Sequence, residues 1–593
     1  VNGPAPPARA AVRATRRYVV LAMIPVLLGL ILFLVRPDRA RRPGIASPPP
    51  TPSPTPVGYG RFSSPPPTPV PQALPALLDD GRLFYEPGWG SIEVREYLQT
   101  RAGTLADTTL WVGDTEMLLP DIIAGKCLLY GLNPKVVLAL LEFQSGLVDA
   151  PDPSPDALAW AMGRRQWEDQ GLEPQIDWAV RELFRATRDF PLARDLILSD
   201  GSTIPIPVGT NLGSYALMRV VALAGDASDL ERLLSPGSSS FVAIYRRLFA
   251  EDPREPLSGL PAPADRPFLA QPYEGIFEVT SIFDHHGPFL SEDGSLISFL
   301  GQEASGLPYD GHDGWDYALD AGVPILAAAD GTVAWAGNSN DRCATIARGV
   351  ILDHGNGYQT LYWHLDTIEV AVGERVRQGE RLGAAGATGC ADGPHLHFGV
   401  HFLGRETDPE GWCGPGEDPW ALHPAGTGSR WLWADRLSPC QWPGEAIVVD
   451  DGDRGFQHSE GTWNDGMGGV GGHAYWVPTS YGEGSPPADP ASLEGNGEAA
   501  VWKPELPVAG RYQVYVFVPY WNNATPDSHS ARYWVHHAHG ETPVIVDQAL
   551  HVNRWVALGT FDFRPGDAWL YLDARTGEVG FGVWFDAALW LPE

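Results

Sequence analysis

What most constrains this chain is how its apolar residues are divided between positions 266 and 436. Runs such as VPILAAADGTVAWAG, GVILDHGNGYQTLYWHL and GERVRQGERLGAAG are broken every few residues by Gly, Asp or Pro, and no long helical pattern interrupts them. Short β-prone runs between turn residues read as strands, so this block is expected to be all-β, an antiparallel sheet. Inside it, GPHLHFGVHF (393–402) alternates strictly. A strand would put His395, His397, Gly399 and His401 on one face and Leu396, Phe398, Val400 and Phe402 on the other. The apolar face is core. Two imidazoles side by side on the opposite face need a chemical explanation.

Two further pieces of the block carry chemistry: GHDGWD, with His312 and Asp316, and TLYWHLD, with His364. Each piece alone is a weak signal. Together they supply imidazole and carboxylate ligands of the kind zinc prefers, and three such ligands leave a fourth tetrahedral position open, the arrangement of a catalytic site. Two histidines remain to act on water and substrate. His401 lies ~13 Å along the strand from His397 and is expected at the surface. His354 in LDHGNG reads as structural, and Asp313 as solvent-facing.

The ordered set His312-x-Gly314-x-Asp316, PILAAADGTV, Val350–His354 with GNG, Tyr362-x-His364-Leu365, GERVRQGERLG and Gly393-Pro394-His395-Leu396-His397-Phe398 resembles the lysostaphin and LytM-type zinc endopeptidases, which cut peptide bonds in peptidoglycan. The resemblance implies one Zn2+ held by His312, Asp316 and His397. It implies His395 as the general base toward the nucleophilic water, and His364 as the group that holds the charge of the tetrahedral intermediate. Residues i and i+2 of a strand stand ~6.5–7 Å apart on one face, which lets one imidazole hold the metal and its neighbour reach the water.

At 593 residues the chain exceeds one core, and ~150 residues per domain suggests about four units. A formal net charge of −32 argues against nucleic acid as a partner, because phosphate binding needs a cationic face. Residues 18–35, YVVLAMIPVLLGLILFLV, would rise ~27 Å as a helix, enough to span a bilayer's hydrocarbon core. Arg9, Arg13, Arg16 and Arg17 precede this run, and Arg36, Arg39, Arg41 and Arg42 follow it. Charge therefore does not choose an orientation. The expectation is a cytoplasmic basic tail (1–17), a single-pass anchor in a bacterial cell membrane (18–35) and the bulk of the chain extracytoplasmic. A cleaved signal peptide is the rival, without a small-residue cleavage site directly after the run. Residues 36–77 form a Pro-rich linker of extended polyproline II character. In an exported protein the five cysteines allow two bridges, Cys343–Cys390 and Cys413–Cys440, with Cys127 left over.

Residues 78–258 have helical spacing, and NPKVVLALLEFQSGLV weakly resembles the catalytic helix of lysozyme-like lytic transglycosylases. Where that family has Glu-Ser, this chain has Gln144-Ser145; Glu142 is the nearest carboxylate, ~200° around the helix. A second active site on Glu142 and a degenerate spacer or glycan-binding domain both stay open. Residues 445–593 read as a β-sandwich. IVVDDGDRGF, AVWKPELPVAGRYQVYVFVP, VDQALHVNRWVALGTFDF and FDAALWL resemble the golvesin C-terminal-like domain, related to a carbohydrate-binding-like domain of xanthan lyase. Trp463, Trp502, Trp555 and Trp584 are candidates for stacking on carbohydrate, with packed core the equal alternative. The expected whole is multidomain: a lysozyme-like all-α domain (78–258), an all-β zinc peptidase core (266–436) and a β-sandwich (445–593). A non-catalytic regulator of other wall hydrolases and a wall-binding adhesin are the competing readings. In EVTSIFDHHGPFL, His285 and His286 could mask the metal in a latent form.

Overall fold

The computed structural model describes residues 76–593 apart from 191, 289–293, 307–310, 483, 487–492, 494–496, 520–524 and 552. The expected basic tail, the anchor at 18–35 and all but the end of the linker lie outside the described residues. Among the described residues no helix is long and apolar enough to cross a membrane.

The first block is helical; α1 (Leu119–Leu129), α2 (Pro134–Ser145), α3 (Leu172–Asp189) and α4 (Phe241–Phe249) matter most below. Local chemistry sets the limits of α2. The Asn133 side chain accepts from the Lys135 amide, Pro134 fills the first turn where its missing N–H costs nothing, and Gly146 ends the helix at φ 70°. Two hairpins interrupt the helices, Thr109–Val112 with Thr115–Leu118 and Asp195–Ile197 with Thr203–Pro205. Strands this short carry too little periodicity to be read beforehand.

In the second block an eight-stranded antiparallel sheet contains β1 (Val279–Ser281), β2 (Gly314–Tyr317), β3 (Gly331–Ser339), β4 (Ala347–Asp353), β5 (Tyr358–Trp363), β6 (Arg375–Val376), β7 (Leu396–Phe402) and β8 (Arg405–Glu406). The order is β6-β3-β4-β5-β7-β2-β1, with β8 paired to β7. A three-stranded sheet of Leu365–Ile368, Arg381–Ala385 and Pro324–Leu326 lies beside it in sequence. Leu396, Phe398, Val400 and Phe402 are buried, as the alternation requires.

The opposite face of the sheet is not left to water. Trp335, Ile351, Leu361 and Trp363 pack against Val112, Met117, Ile122 and Leu128 of the helical block. Helix α1 is accordingly buried nearly all round, as a helix covered on every side must be. Its Gly125 admits the close approach: a Cβ there would stand 2.3 Å from Trp335 Nε1, which donates to the Asp121 carbonyl at 3.0 Å. A single apolar core runs from the helices into the sheet. This corrects the expectation for His401. It is 1% exposed rather than on the surface, paired across the sheet with Gln359, and burial lowers its pKa to about 3.

The third block has its own core. One sheet runs Ile447–Val449, Ala588–Pro592, Gly510–Val518, Arg554–Phe563; another runs Phe456–His458, Ala499–Trp502, Trp569–Asp573, Ala531–His537, Gly540–Val546. Trp502, Trp555 and Trp584 are buried in it and closed to sugars; Trp463 is half-buried against Phe585 and Tyr475. Disulfides join Cys343 to Cys390 and Cys413 to Cys440, and Cys127 is a buried free thiol.

Candidate metal centre

Neighbouring strands β2 and β7 build the site. Their register sets His397 opposite Asp316, and His312 enters from the segment just before β2. His312 Nε2 lies 3.0 Å from His397 Nδ1 and 3.2 Å from Asp316 Oδ1. His397 Nδ1 lies 3.1 Å from the same oxygen. These three residues form a group able to hold a metal ion. Donors bound to zinc at ~2.0–2.1 Å in tetrahedral geometry stand roughly 3.3 Å apart, so the set fits that ion.

The surroundings fix each ligand. His312 is buried, and its Nδ1 bonds the Ile282 carbonyl at 3.2 Å, which turns Nε2 toward His397 and Asp316. Burial alone would raise the Asp316 pKa, but His312 and His397 beside it hold it well below the usual carboxylate range. Gly314 is required by contact: a Cβ there would stand 2.6 Å from the Phe398 carbonyl and 2.9 Å from His397 Cε1. Asp284, 1% exposed, accepts from the amides of His286 (2.9 Å), Ile297 (3.0 Å) and Gly311 (2.9 Å). Its own amide donates to the His312 carbonyl at 2.9 Å, so it ties down the segment that delivers His312.

Two further imidazoles stand beside the metal ligands. His395 Nε2 is 3.9 Å from Asp316 Oδ1, and its Nδ1 bonds the Gly393 carbonyl at 2.9 Å. His364 Nδ1 bonds the Thr388 carbonyl at 2.7 Å. The His364 and His395 rings are 4.4 Å apart, centroid to centroid. In their neutral forms both therefore offer Nε2 as an acceptor. Burial, with His397 adding to it, lowers the His364 pKa to about 4. His364 occupies the junction of β5 and Leu365–Ile368 at φ 67°, a left-handed conformation uncommon outside glycine. Strain of this kind gathers at functional sites.

A groove of about 680 Å³ opens over these five residues. One wall carries Asp392, Gly393 and Cys390, the last bridged to Cys343. The other wall comes from the helical block, through Leu129, Tyr130 and Arg181. Asp313 also lines the groove; it was expected to face solvent, yet its side chain is 12% exposed with Oδ1 3.6 Å from His397 Nε2. Adjacency to His312 was the only signal for it in the sequence, and nothing marked Tyr130 or Arg181.

The remaining expectations resolve as structure. His354 bonds the Asp330 carbonyl at 2.8 Å and Thr360 Oγ1 at 2.9 Å. His285 is fully buried, with Nδ1 2.8 Å from Asp418 Oδ1 and Nε2 3.1 Å from Asp408 Oδ2. Both nitrogens are occupied, so His285 does not mask the metal. His286 bonds Ser295 at 2.8 Å. Glu142 accepts from the Val148 and Asp149 amides at 3.0 and 3.3 Å and pairs with Arg247 at 2.6 Å. A carboxylate so committed is a loop clamp, not a free acid for a glycosidic oxygen.

An antiparallel sheet presenting a His-Asp-His group beside two further imidazoles held through Nδ1 is a metallopeptidase class of site. Residues 310–409 match Peptidase family M23, and the chain carries a domain of that family. Residues 76–262 match "LasA, N-terminal domain" and 447–587 match "Golvesin C-terminal domain". An "uncharacterized metalloprotease" of Haemophilus influenzae is 41% identical over 102 residues, 16% of this chain and 20% of that protein. "Peptidoglycan DD-endopeptidase ShyA" of Vibrio cholerae is 38% identical over 94 residues, 16% of this chain and 21% of that protein. The match thus spans about a fifth of these relatives' length. The crystal structure of a zinc-containing peptidase from Vibrio cholerae shares 29% identity over 24% of this chain and 39% of that one, with a TM-score of 0.19.

Proposed function

We propose that this protein is a zinc metalloendopeptidase that hydrolyses peptide bonds of peptidoglycan. The observation that carries the reading is the convergence of three donor atoms at 3.0–3.2 Å beside two imidazoles anchored through Nδ1. Zinc held by His312, Asp316 and His397 supplies a Lewis acid for the scissile carbonyl and brings the pKa of water toward ~7.

The chain's own groups handle position and protons. His395 Nε2, an acceptor aimed at the metal site, takes the proton of the attacking water. The imidazolium so formed lies beside His364, and the pair can pass charge between them. The charge of the developing oxyanion offsets the burial that otherwise keeps His364 neutral, so His364 takes up that proton and donates to the oxyanion, and the leaving amine recovers the proton from the same pair. The groove admits an extended peptide between the disulfide-bridged rim and the wall of Tyr130 and Arg181.

In the same reading residues 18–35 anchor the chain in the membrane, the Pro-rich segment spaces it outward, and the helical and sandwich blocks hold the groove at the wall. Incubating the full chain with purified peptidoglycan tests this. Chelator-sensitive release of new amino groups is expected, and mass spectrometry of the fragments identifies the bond. Full zinc occupancy with no amine released from any wall type would reject the enzyme reading in favour of a non-catalytic regulator.

A further inference from the structure

A second site is built into the sandwich, far in sequence from the first. Asp450 follows the strand Ile447–Val449, and Asp586 precedes its antiparallel neighbour Ala588–Pro592. The two carboxyl groups come within hydrogen-bonding reach of each other. Asp586 is 2% exposed. One oxygen of each, Oδ1, is buried without a hydrogen-bond partner. Among the described residues neither carboxylate has a Lys, Arg or His ion-pair partner. The charged neighbours are more acids, Asp451 and Asp453, and His473 is already held by Asp451 at 2.8 Å and Asp465 at 3.4 Å.

The turn GGVGG (468–472), between the strands Asn464–Met467 and His473–Pro478, closes over this pair. Gly469 and Gly471 take φ of 86° and 72°. A Cβ at Gly469 would stand 2.3 Å from Asp586 Oδ2 and 2.7 Å from the His473 carbonyl, and one at Gly471 would stand 2.6 Å from Asp450 Oδ2. The turn's backbone therefore lies directly against both acids, and the Val470 amide donates to Asp586 Oδ2 at 3.2 Å.

A buried and a half-buried carboxylate in contact are costly as two bare ions, and a proton or a cation offsets them. Burial and the neighbouring acid raise the pKa of both groups in the absence of a cation, Asp450 to about 7. A single shared proton bonds one oxygen on each side at most. A cation engages several oxygens of both groups and can draw in backbone carbonyls. The donors are hard oxygens without nitrogen or sulfur, which suits calcium rather than zinc.

We propose that Asp450 and Asp586, under the 468–472 turn, bind a calcium-class divalent cation that pins the first strand of the sandwich to its last. Carbonyl oxygens and water complete the six to eight ligands such an ion takes.

Trp502 Nε1 donates to the Asp586 carbonyl at 2.5 Å, so its indole can sensitise terbium bound there. The test uses the full, zinc-loaded chain, titrated with terbium under tryptophan excitation and then with calcium. Saturable emission displaced by calcium is expected, together with a rise in the unfolding temperature of the sandwich on adding calcium. Asp450→Asn should weaken terbium binding at least tenfold. Zinc content should stay constant through the titration, which separates this site from the peptidase centre. Asp450 is half-buried, so its variant should fold; circular dichroism checks this, and Asp586→Asn serves as the second variant. No saturable emission, or emission indifferent to both substitutions, would overturn the proposal and leave a shared proton between the acids.

Discussion

At the residue scale, the site depends on atoms that motifs name and on others that they do not. The HxGxD, YxH and HLH spacings made His312, Asp316, His364, His395 and His397 legible, because ligand chemistry demands those residue types. Asp284 was not legible: its work is to accept three amides, and any buried Asp in a loop has the same appearance in sequence. Asp284→Ala would leave those donors unsatisfied at ~1–3 kcal/mol each. The expected outcome is a global loss of stability in denaturant titration together with weakened zinc retention, and unchanged zinc affinity would show that the segment holds itself. Gly314→Ala should abolish zinc binding through the collision with the Phe398 carbonyl and the His397 ring, measurable by metal analysis after dialysis. His364→Ala should keep its zinc and lower kcat by ~10²–10⁴, the usual worth of a proton-transfer group.

At the element scale, alternation in 393–402 identified β7, its core face and the face that carries His401, but not that this second face is buried. A single sequence discloses the period of a strand, not what covers its second face. Here that cover includes α1, which is buried nearly all round. The junction is also tied by charge. Asp177, 2% exposed, receives Lys126 Nζ at 2.9 Å, Arg342 Nε at 3.0 Å and Arg181 Nε at 3.1 Å. Arg342 belongs to the loop whose Cys343 is bridged to Cys390 at the groove. Asp177→Asn would leave the buried Lys126 with Asp341 as its remaining carboxylate, at 3.2 Å, and losing one partner of a buried pair costs up to ~3–5 kcal/mol. Urea unfolding should show a loss of that order with slower turnover; a loss below ~1 kcal/mol would mean the cluster is effectively solvated.

At the scale of the whole molecule, three blocks were legible from changes of pattern along the chain. What the sequence concealed is that the first two share one core while the sandwich keeps its own. Long-range packing between helices and a sheet leaves no local periodicity. The buried His285 links distant segments, since Asp408 and Asp418 grip it from the end of the sheet region. Burial lowers its pKa, but the two carboxylates outweigh burial and raise it to about 9. A raised histidine pKa gives stability that is fully present below the unfolded value near ~6.5 and is lost as pH rises through the folded value. Stability should therefore fall between about pH 6.5 and 9, and His285→Asn should flatten that slope in thermal unfolding; an unchanged slope would assign it to other groups.

The central claim is that three of the five clustered residues hold zinc and the other two move protons. Zinc content and kcat measured together on the wild-type chain, His312→Ala and His395→Ala test it most directly. One zinc per wild-type chain is expected, none in His312→Ala, and near-full zinc with kcat reduced by ~10²–10⁴ in His395→Ala. Zinc retained in His312→Ala, or full turnover in His395→Ala, would contradict the account.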